Sequence, residues 1–230
     1  MTAHAHMNLG VLIGAACLAV LGAGAASSAE PAQTIVGSPH DLRNLATLGK
    51  DADLCAFCHI PKDGDDASPS WNRAAPAGPF EGYSSRNLDG HSGALSGVSA
   101  GCLSCHDGAT PLDALKDPAN IVLVNPGQTM AAAFPDSMAI LGRDLGNHHP
   151  ASISYGAAGA GGASRLNPPS VSGSRVYVVS TSDGAEIPLY GAAPGTVECA
   201  SCHDPHDNAR GKFLRTANTN SALCVACHDM

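Results

Sequence analysis

The stretch VECASCHDPHDN, residues 197–208, contains a Cys-x-x-Cys-His unit with a second histidine three residues beyond it. Cys199 and Cys202 are three positions apart, so on one helical turn both thiols lie on the same side of the backbone. His203 follows the second thiol at once, and Pro205 stiffens the link to His206. The organisation of the fold depends on how often this unit recurs and on what His206 binds.

The unit occurs four times and uses all the cysteines outside the N-terminal segment. Its spacing is that of c-type haem attachment, in which two thiols form thioethers with the haem and the following imidazole becomes the proximal iron ligand. We therefore predict four covalently attached haems. The attachment cysteines and proximal histidines are Cys55, Cys58 and His59; Cys102, Cys105 and His106; Cys199, Cys202 and His203; and Cys224, Cys227 and His228.

Two other uses of paired cysteines compete with haem attachment. A zinc ribbon also contains Cys-x-x-Cys pairs, and the separation of Cys202 from Cys224 is close to its usual spacing. An exported chain with an even number of cysteines is also consistent with a disulfide framework. Neither alternative explains a histidine directly after every pair, so the sequence favours haem.

The first 29 residues are typical of a cleaved export signal. An apolar run extends over residues 9–26, and Ser27, Ser28 and Ala29 provide a cleavage site of small residues, although no Lys or Arg precedes the run. Cys17, the ninth cysteine, lies inside this run. We predict a single mature domain over residues 30–230, without a membrane span. It would be located in the periplasm, at the cell surface or outside the cell.

The composition is poor for an ordinary hydrophobic core. Aromatic residues make up 4% of the chain, which contains 26 Gly and 16 Pro. We predict a mostly irregular, loop-rich fold with short helices and a small β-hairpin over residues 174–191, in which haems form the core. The net charge of −8 argues against nucleic acid as a partner. It fits a redox partner protein whose surface carries basic patches.

Each predicted iron has a second axial position, and five further histidines of the mature chain are available to fill it. Methionine is the alternative axial ligand, but the histidine supply favours packing roles for the methionines. The histidines are His40, His91, His148, His149 and His206, and the methionines are Met130, Met138 and Met230.

His206 is predicted to bind a haem other than the one attached beside it. Three residues span at most about 10–11 Å, which is too short for the chain to pass from His203 around the disc to its far face. The same reach is sufficient for a haem packed alongside. A solvated loop histidine is the alternative.

The other distal positions are assigned from the local sequence. Of the neighbours His148 and His149, we favour His149, because Pro150 holds the backbone extended there and turns the two imidazoles apart. His40 lies near the mature N-terminus, and His91 lies between the first and second motifs. The predicted distal set is therefore His40, His91, His149 and His206.

Six segments in sequence order resemble multihaem c-type cytochromes with doubled haem motifs: SPHDL, CAFCHIP, PSWNR, CLSCHDG, NHHPASISY and VECASCHDPH. Among these, the chain is similar to small four-haem extracellular cytochromes that polymerise into conductive filaments. The resemblance implies stacked bis-histidine haems, electron transfer, and a histidine donated between subunits of a homopolymer, for which His40 is the candidate. Related sequences often have a histidine where this chain has Lys62. His91 is the natural substitute, and without it that site would be open or lysine-ligated.

The sequence thus predicts an exported tetrahaem electron carrier, not an enzyme, whose partners are redox proteins or extracellular acceptors. A reductase of a small oxyanion or amine is the alternative and would need an iron with one open face. A metal-stapled structural module is the second alternative, which the histidine after each cysteine pair disfavours.

Overall fold

The computed structural model of the chain describes Met1 and residues 35–47, 54–60, 70–76, 78–86, 88, 94–95, 97–118, 121–156 and 165–229. Four features singled out from the sequence fall outside these ranges: the export signal beyond Met1, Lys62, His91 and Met230.

Regular structure in the described ranges is short and is separated by turns. The α-helices are Gly97–His106, Met130–Ala133, Cys199–Cys202 and Ala222–Cys227, and the 3₁₀ turns are Leu42–Leu45 and Thr219–Ser221. The strands are β1 His59–Ile60, β2 Ser70–Trp71, β3 Ile153–Ser154, β4 Ser170–Ser172, β5 Arg175–Val179, β6 Glu186–Leu189 and β7 Thr196–Val197. Within the part of the chain that is described, no helix is long and apolar enough to cross a membrane.

Short antiparallel pairings hold distant segments against the Cys-x-x-Cys-His motifs. β1 pairs with β2, so that His59 lies opposite Trp71. β3 pairs with β7, which brings residues 153–154 beside the segment that enters the third motif. The motifs are therefore positioned by contacts between segments that are far apart in the sequence.

The hairpin predicted over residues 174–191 is present, and a third strand extends it. β5 pairs with β6, and β4 adds to the other edge of β5. The inward positions Val176, Val178, Ile187 and Leu189 alternate along the two strands and are buried, as expected for a sheet with one covered face. They pack with Tyr155 and Ala226, so this sheet supports the fourth motif.

A second apolar cluster lies around the first motif. Its buried members are Ala56, Phe57, Leu112, Ile121 and Leu123. Met130 packs against this cluster from its edge, in keeping with a packing role, whereas the Met138 side chain is exposed. Each cluster thus includes residues that lie between the two cysteines of one motif.

Gly195 is expected to tolerate no side chain, because it lies in the left-handed region at φ +89° and an added Cβ would be 2.7 Å from Leu189 Cβ. We expect Gly195→Ala to lower the free energy of unfolding by about 2–4 kcal/mol, from backbone strain and overpacking together. Gly191 is the matched control: its φ is +82°, but the nearest atom to its added Cβ is Thr196 Oγ1 at 3.9 Å.

Gly191→Ala should therefore cost only the backbone term, about 1–2 kcal/mol. Chemical denaturation of both variants measures the difference. Equal losses would contradict the close packing of Gly195 on the β5–β6 sheet.

Candidate haem-binding site

The motifs share one local backbone geometry. In the first, third and fourth motifs, the backbone N–H of the histidine donates to the backbone carbonyl of the first cysteine, at 2.8, 3.1 and 2.9 Å. His203 and His228 each follow a short helix and have extended backbone conformations. The second motif lies within the helix Gly97–His106 and ends it. At His203 and His228 the backbone therefore leaves the helical turn that carries the thiols.

The residues between the paired cysteines face the protein interior. Phe57, Leu103, Ser104, Ser201 and Ala226 are each at most 3% exposed. The cysteines themselves are half-buried or exposed, and none is in a disulfide. This division leaves thiols and imidazoles on the outer side of each turn, where a large planar group can attach.

Three of the proximal histidines each lie beside one histidine from elsewhere in the chain. The ring centroids are 6.0 Å apart for His59 and His206, 6.1 Å for His106 and His40, and 6.4 Å for His228 and His149. A transition-metal ion binds imidazole nitrogen at about 2 Å, so two imidazoles on opposite sides of one ion have centroids roughly 6 Å apart. All three pairs therefore fit two axial ligands of one iron.

Hydrogen bonds at Nδ1 orient several of these imidazoles. Nδ1 lies 2.8 Å from Ala139 O in His106, 2.8 Å from Lys212 O in His203 and 3.0 Å from Pro150 O in His149. A ring held through Nδ1–H presents Nε2 as the free ligand nitrogen, which is the usual arrangement of metal-binding histidine. The donor set thus fits haem iron in orientation as well as in spacing.

His206 is oriented by a carboxylate. Its Nδ1 is 3.3 Å from Asp204 Oδ1, and Asp204 Oδ2 accepts a hydrogen bond from Arg215 at 3.0 Å. The hydrogen bond with His206 is the main cause that lowers the pKa of Asp204 to about 2. Asp204 therefore stays ionised and holds Nδ1 of His206, which leaves Nε2 as the ring nitrogen available to a metal.

Burial favours the neutral form of two of the paired histidines, which is the form that binds a metal. Desolvation and then the neighbouring His106 lower the pKa of His40, which also stacks on Phe213 with centroids 4.1 Å apart. Desolvation and then His149 lower the pKa of His228. These rings are held as neutral bases beside their partners.

His203 has no second histidine at this distance among the described residues. His148 likewise forms no such pair there, although it precedes the paired His149. His91, the remaining predicted ligand, lies outside the described residues.

Electrostatic effects between thiols link each motif with the next one in the sequence. Burial and then Cys105 raise the pKa of Cys58 to about 11. The Cys102 and Cys199 side chains hydrogen-bond to each other, which is the main cause that raises the pKa of Cys102. Burial and then Cys202 raise the pKa of Cys227 to about 11. Each motif therefore lies near the next one along the sequence, and the second and third are in direct contact.

A segment that was recognised only through resemblance joins the first two motifs through its described residues, 70–73. The Trp71 and His59 rings meet edge to face with centroids 5.3 Å apart. Asn72 Nδ2 donates to Ala56 O at 2.7 Å, inside the first motif, and Arg73 donates to Ser104 O at 2.7 Å, inside the second. An arginine between Asn72 and Ala74 gave no sequence signal for this bridging role.

Glu198 was also missed by sequence reasoning. Its carboxylate accepts hydrogen bonds from Ser99 Oγ and from Ser152 Oγ, the latter at 3.0 Å, and it caps the helix Cys199–Cys202. These contacts join the helix of the second motif to that of the third. A buried glutamate next to a motif cysteine could have been suspected only from its position in the sequence.

Comparison with known families identifies the third and fourth motifs. The doubled CXXCH motif family matches residues 193–230. No curated protein sequence matches the chain significantly. In the described ranges, no group of three or more His, Cys, Asp or Glu side chains converges to hold a metal ion as a zinc ribbon would.

The chain thus carries paired c-type haem-binding motifs, which bind haem covalently through the cysteines. The family match and the motifs together support a multihaem c-type cytochrome, a class of electron-transfer protein.

Proposed function

We propose that the protein is an exported tetrahaem c-type cytochrome that carries electrons between closely packed bis-histidine haems. The observation that carries the proposal is the set of three imidazole pairs, each of which joins a proximal histidine to one distant in the sequence at 6.0–6.4 Å. The haems would also supply the apolar core that the composition lacks.

The ligand assignment follows from these pairs. His59 and His206 would hold the first haem, His106 and His40 the second, and His228 and His149 the fourth. We assign the third haem to His203 and His91. When bound, each haem supplies one-electron redox chemistry, and the chain fixes its ligands and its distance from the next haem.

The haem count and the spin state test this proposal. A pyridine haemochrome assay should give four covalent haems per chain, and ferric spectra should be low-spin throughout. Fewer than four haems would contradict the count. A substantial high-spin fraction would favour the reductase alternative, because it indicates an iron with an open face.

Assembly into an extracellular filament is the finer part of the proposal, and it rests on the resemblance to filament-forming cytochromes. The position of His40 beside His106 of its own chain supports a ligand role within one subunit. A ligand donated between subunits would then serve a different haem. Negative-stain microscopy of the native protein and of His40→Ala tests both points. A native protein that stays monomeric under all conditions would contradict the filament proposal. Loss of filaments only in His40→Ala would show that His40 acts between subunits.

Asp204 is expected to lower the reduction potential of the haem held by His59 and His206. A carboxylate at Nδ1 makes an imidazole a stronger electron donor, which favours the oxidised iron. Asp204→Asn should therefore raise that potential by about 60 mV, a tenfold change in the one-electron equilibrium. Spectroelectrochemical titration measures it.

Asp207→Asn is the matched control for Asp204→Asn. It makes the same charge change one residue beyond His206, but its carboxylate accepts from Ala209 N. An equal shift of the reduction potential in both variants would show that the effect comes from the loss of charge and not from the contact of Asp204 with His206.

A further inference from the structure

A buried guanidinium lies between the first and second motifs. Arg73 is 3% exposed. It donates to neutral oxygens: Ser104 Oγ at 3.3 Å, Ser104 O at 2.7 Å, Leu112 O at 2.5 Å and Pro111 O at 2.9 Å. Within the described ranges no carboxylate lies at ion-pair distance from it. Among the described residues, its positive charge is therefore solvated by carbonyl and hydroxyl dipoles and not by a carboxylate at ion-pair distance.

A buried carboxylate lies on the other side of the second motif. Glu198 is 5% exposed and directly precedes Cys199. Its partners are the hydroxyls of Ser99 and Ser152 and the backbone N–H of Ser201, which are neutral donors. An ionised carboxylate is an acceptor only, and this set of donors satisfies it in that form. No described cation forms an ion pair with it.

The two charges act on different motifs. The backbone N–H of Asn72, next to Arg73, donates to Cys58 O, and Arg73 itself donates to the carbonyl of Ser104, the residue before Cys105. The positive charge of Arg73 opposes the pKa rise that burial causes at Cys58 and Cys105. Glu198 is covalently next to Cys199 and bonds to Ser99, three residues before Cys102. The positive charge thus lies at the first two motifs and the negative one at the third.

We infer that Arg73 and Glu198 set a difference in reduction potential along the haem chain, so that an electron is favoured at the first motif over the third. This rests on the proposed electron-carrying function. A buried positive charge favours the reduced iron, and a buried negative charge favours the oxidised iron. The equilibrium is the transfer of one electron, in which the haem at the third motif is oxidised as the haem at the first is reduced.

Two neighbouring carboxylates limit where the effect is greatest. Asp107 is buried near Cys105 and offsets part of the Arg73 charge at the second motif. Asp204 acts on the same first haem through His206 in the opposite sense, but its charge is shared with Arg215 and is present equally in the wild type and in the Arg73 variants. The positive charge therefore acts most clearly on the haem of the first motif.

The expected size of the effect is about tenfold for each charge. A unit charge acting over roughly 10 Å at an effective dielectric constant near 20 changes an equilibrium by about that factor. For a one-electron couple, a tenfold change is about 59 mV.

The test uses the haem-loaded full chain in four single variants. Arg73→Gln should lower the reduction potential of the haem at the first motif by about 59 mV, a tenfold change in the equilibrium constant, and Glu198→Gln should raise that of the haem at the third motif by a similar amount. Each substitution should reduce the difference in reduction potential between the haems at the first and third motifs. The exposed ion pair of Arg175 and Glu186 provides controls, because Arg175→Gln and Glu186→Gln remove the same charges on the sheet surface and should leave the spread unchanged.

A fifth variant, Arg73→Lys, separates electrostatic tuning from a structural role. Arg73→Lys keeps the charge and should retain the potentials even where loss of the carbonyl contacts lowers thermal stability. If Arg73→Gln does not fold with its haems, the reduction potentials of Glu198→Gln, which keeps the side-chain shape, test the inference alone. A uniform shift of all potentials, no shift, or shifts equal to those of the controls would overturn the inference.

Haem content is measured first in every variant, so that the two proposals can fail separately. A wild-type chain without four low-spin haems would contradict the proposed function. A wild-type chain with four low-spin haems and variants with unchanged potentials would contradict only the role of Arg73 and Glu198.

Discussion

His206→Ala is expected to change one haem in four from low-spin to high-spin while leaving the number of attached haems unchanged. The imidazole of His206 lies 6.0 Å from that of His59 with the two rings nearly parallel, at 18°, and no attachment thiol is altered by the substitution. The iron held by His59 would keep its proximal ligand and lose the distal one. Such an iron is open to an external ligand.

Two measurements check this result. Ferric absorption and electron paramagnetic resonance spectra should gain a high-spin component, and the reduced variant should bind about one carbon monoxide per chain. His148→Ala is the control, because His148 forms no imidazole pair in the described residues. A low-spin spectrum in His206→Ala, or the same change in both variants, would show that His206 does not ligate the first haem.

Removal of the second attachment site should produce the largest loss of stability. We expect Cys102→Ala with Cys105→Ala to reduce the covalent haem count from four to three and to lower the free energy of unfolding by an amount on the order of 5 kcal/mol, because a large apolar group leaves the core. The second motif lies in the middle of the series, with Cys102 against Cys199 and Ser104 bonded to Arg73. Its loss should therefore disturb the neighbours on both sides.

The haemochrome assay and thermal unfolding of the purified protein measure these effects. Met138→Ala is the control, because the Met138 side chain is exposed, and it should leave both quantities unchanged. An unchanged haem count in the double variant would contradict attachment at Cys102 and Cys105. A lower count with unaltered stability would contradict the idea that haems replace the missing core.

Covalent chemistry made the motifs easy to predict. Thioether attachment requires two thiols and an imidazole at fixed spacing, so each site is contained in five consecutive residues. The hairpin was equally local, because Val176, Val178, Ile187 and Leu189 alternate along two short segments joined by a turn. Features of this kind need no knowledge of the rest of the fold.

Long-range pairing could be predicted only in part. The reach of three residues indicated that His206 belongs to another haem, but that its partner is His59 depends on how segments far apart in the sequence pack. The buried charges Arg73 and Glu198 had no signal at all, because charged residues are ordinarily exposed and nothing nearby marks these two as exceptions. Packing decided both, and it is not encoded in any short stretch.

The pairing of His59 with His206 also has a consequence for biogenesis. Under the proposed ligation, a chain that is exported N-terminus first presents its first haem site long before His206 emerges. During that interval the iron at His59 would lack a distal imidazole and would be open to oxygen and to small ligands in the surrounding compartment. Completion of the third motif would then close the first site, so that the last part of the chain to arrive protects the first part to be loaded.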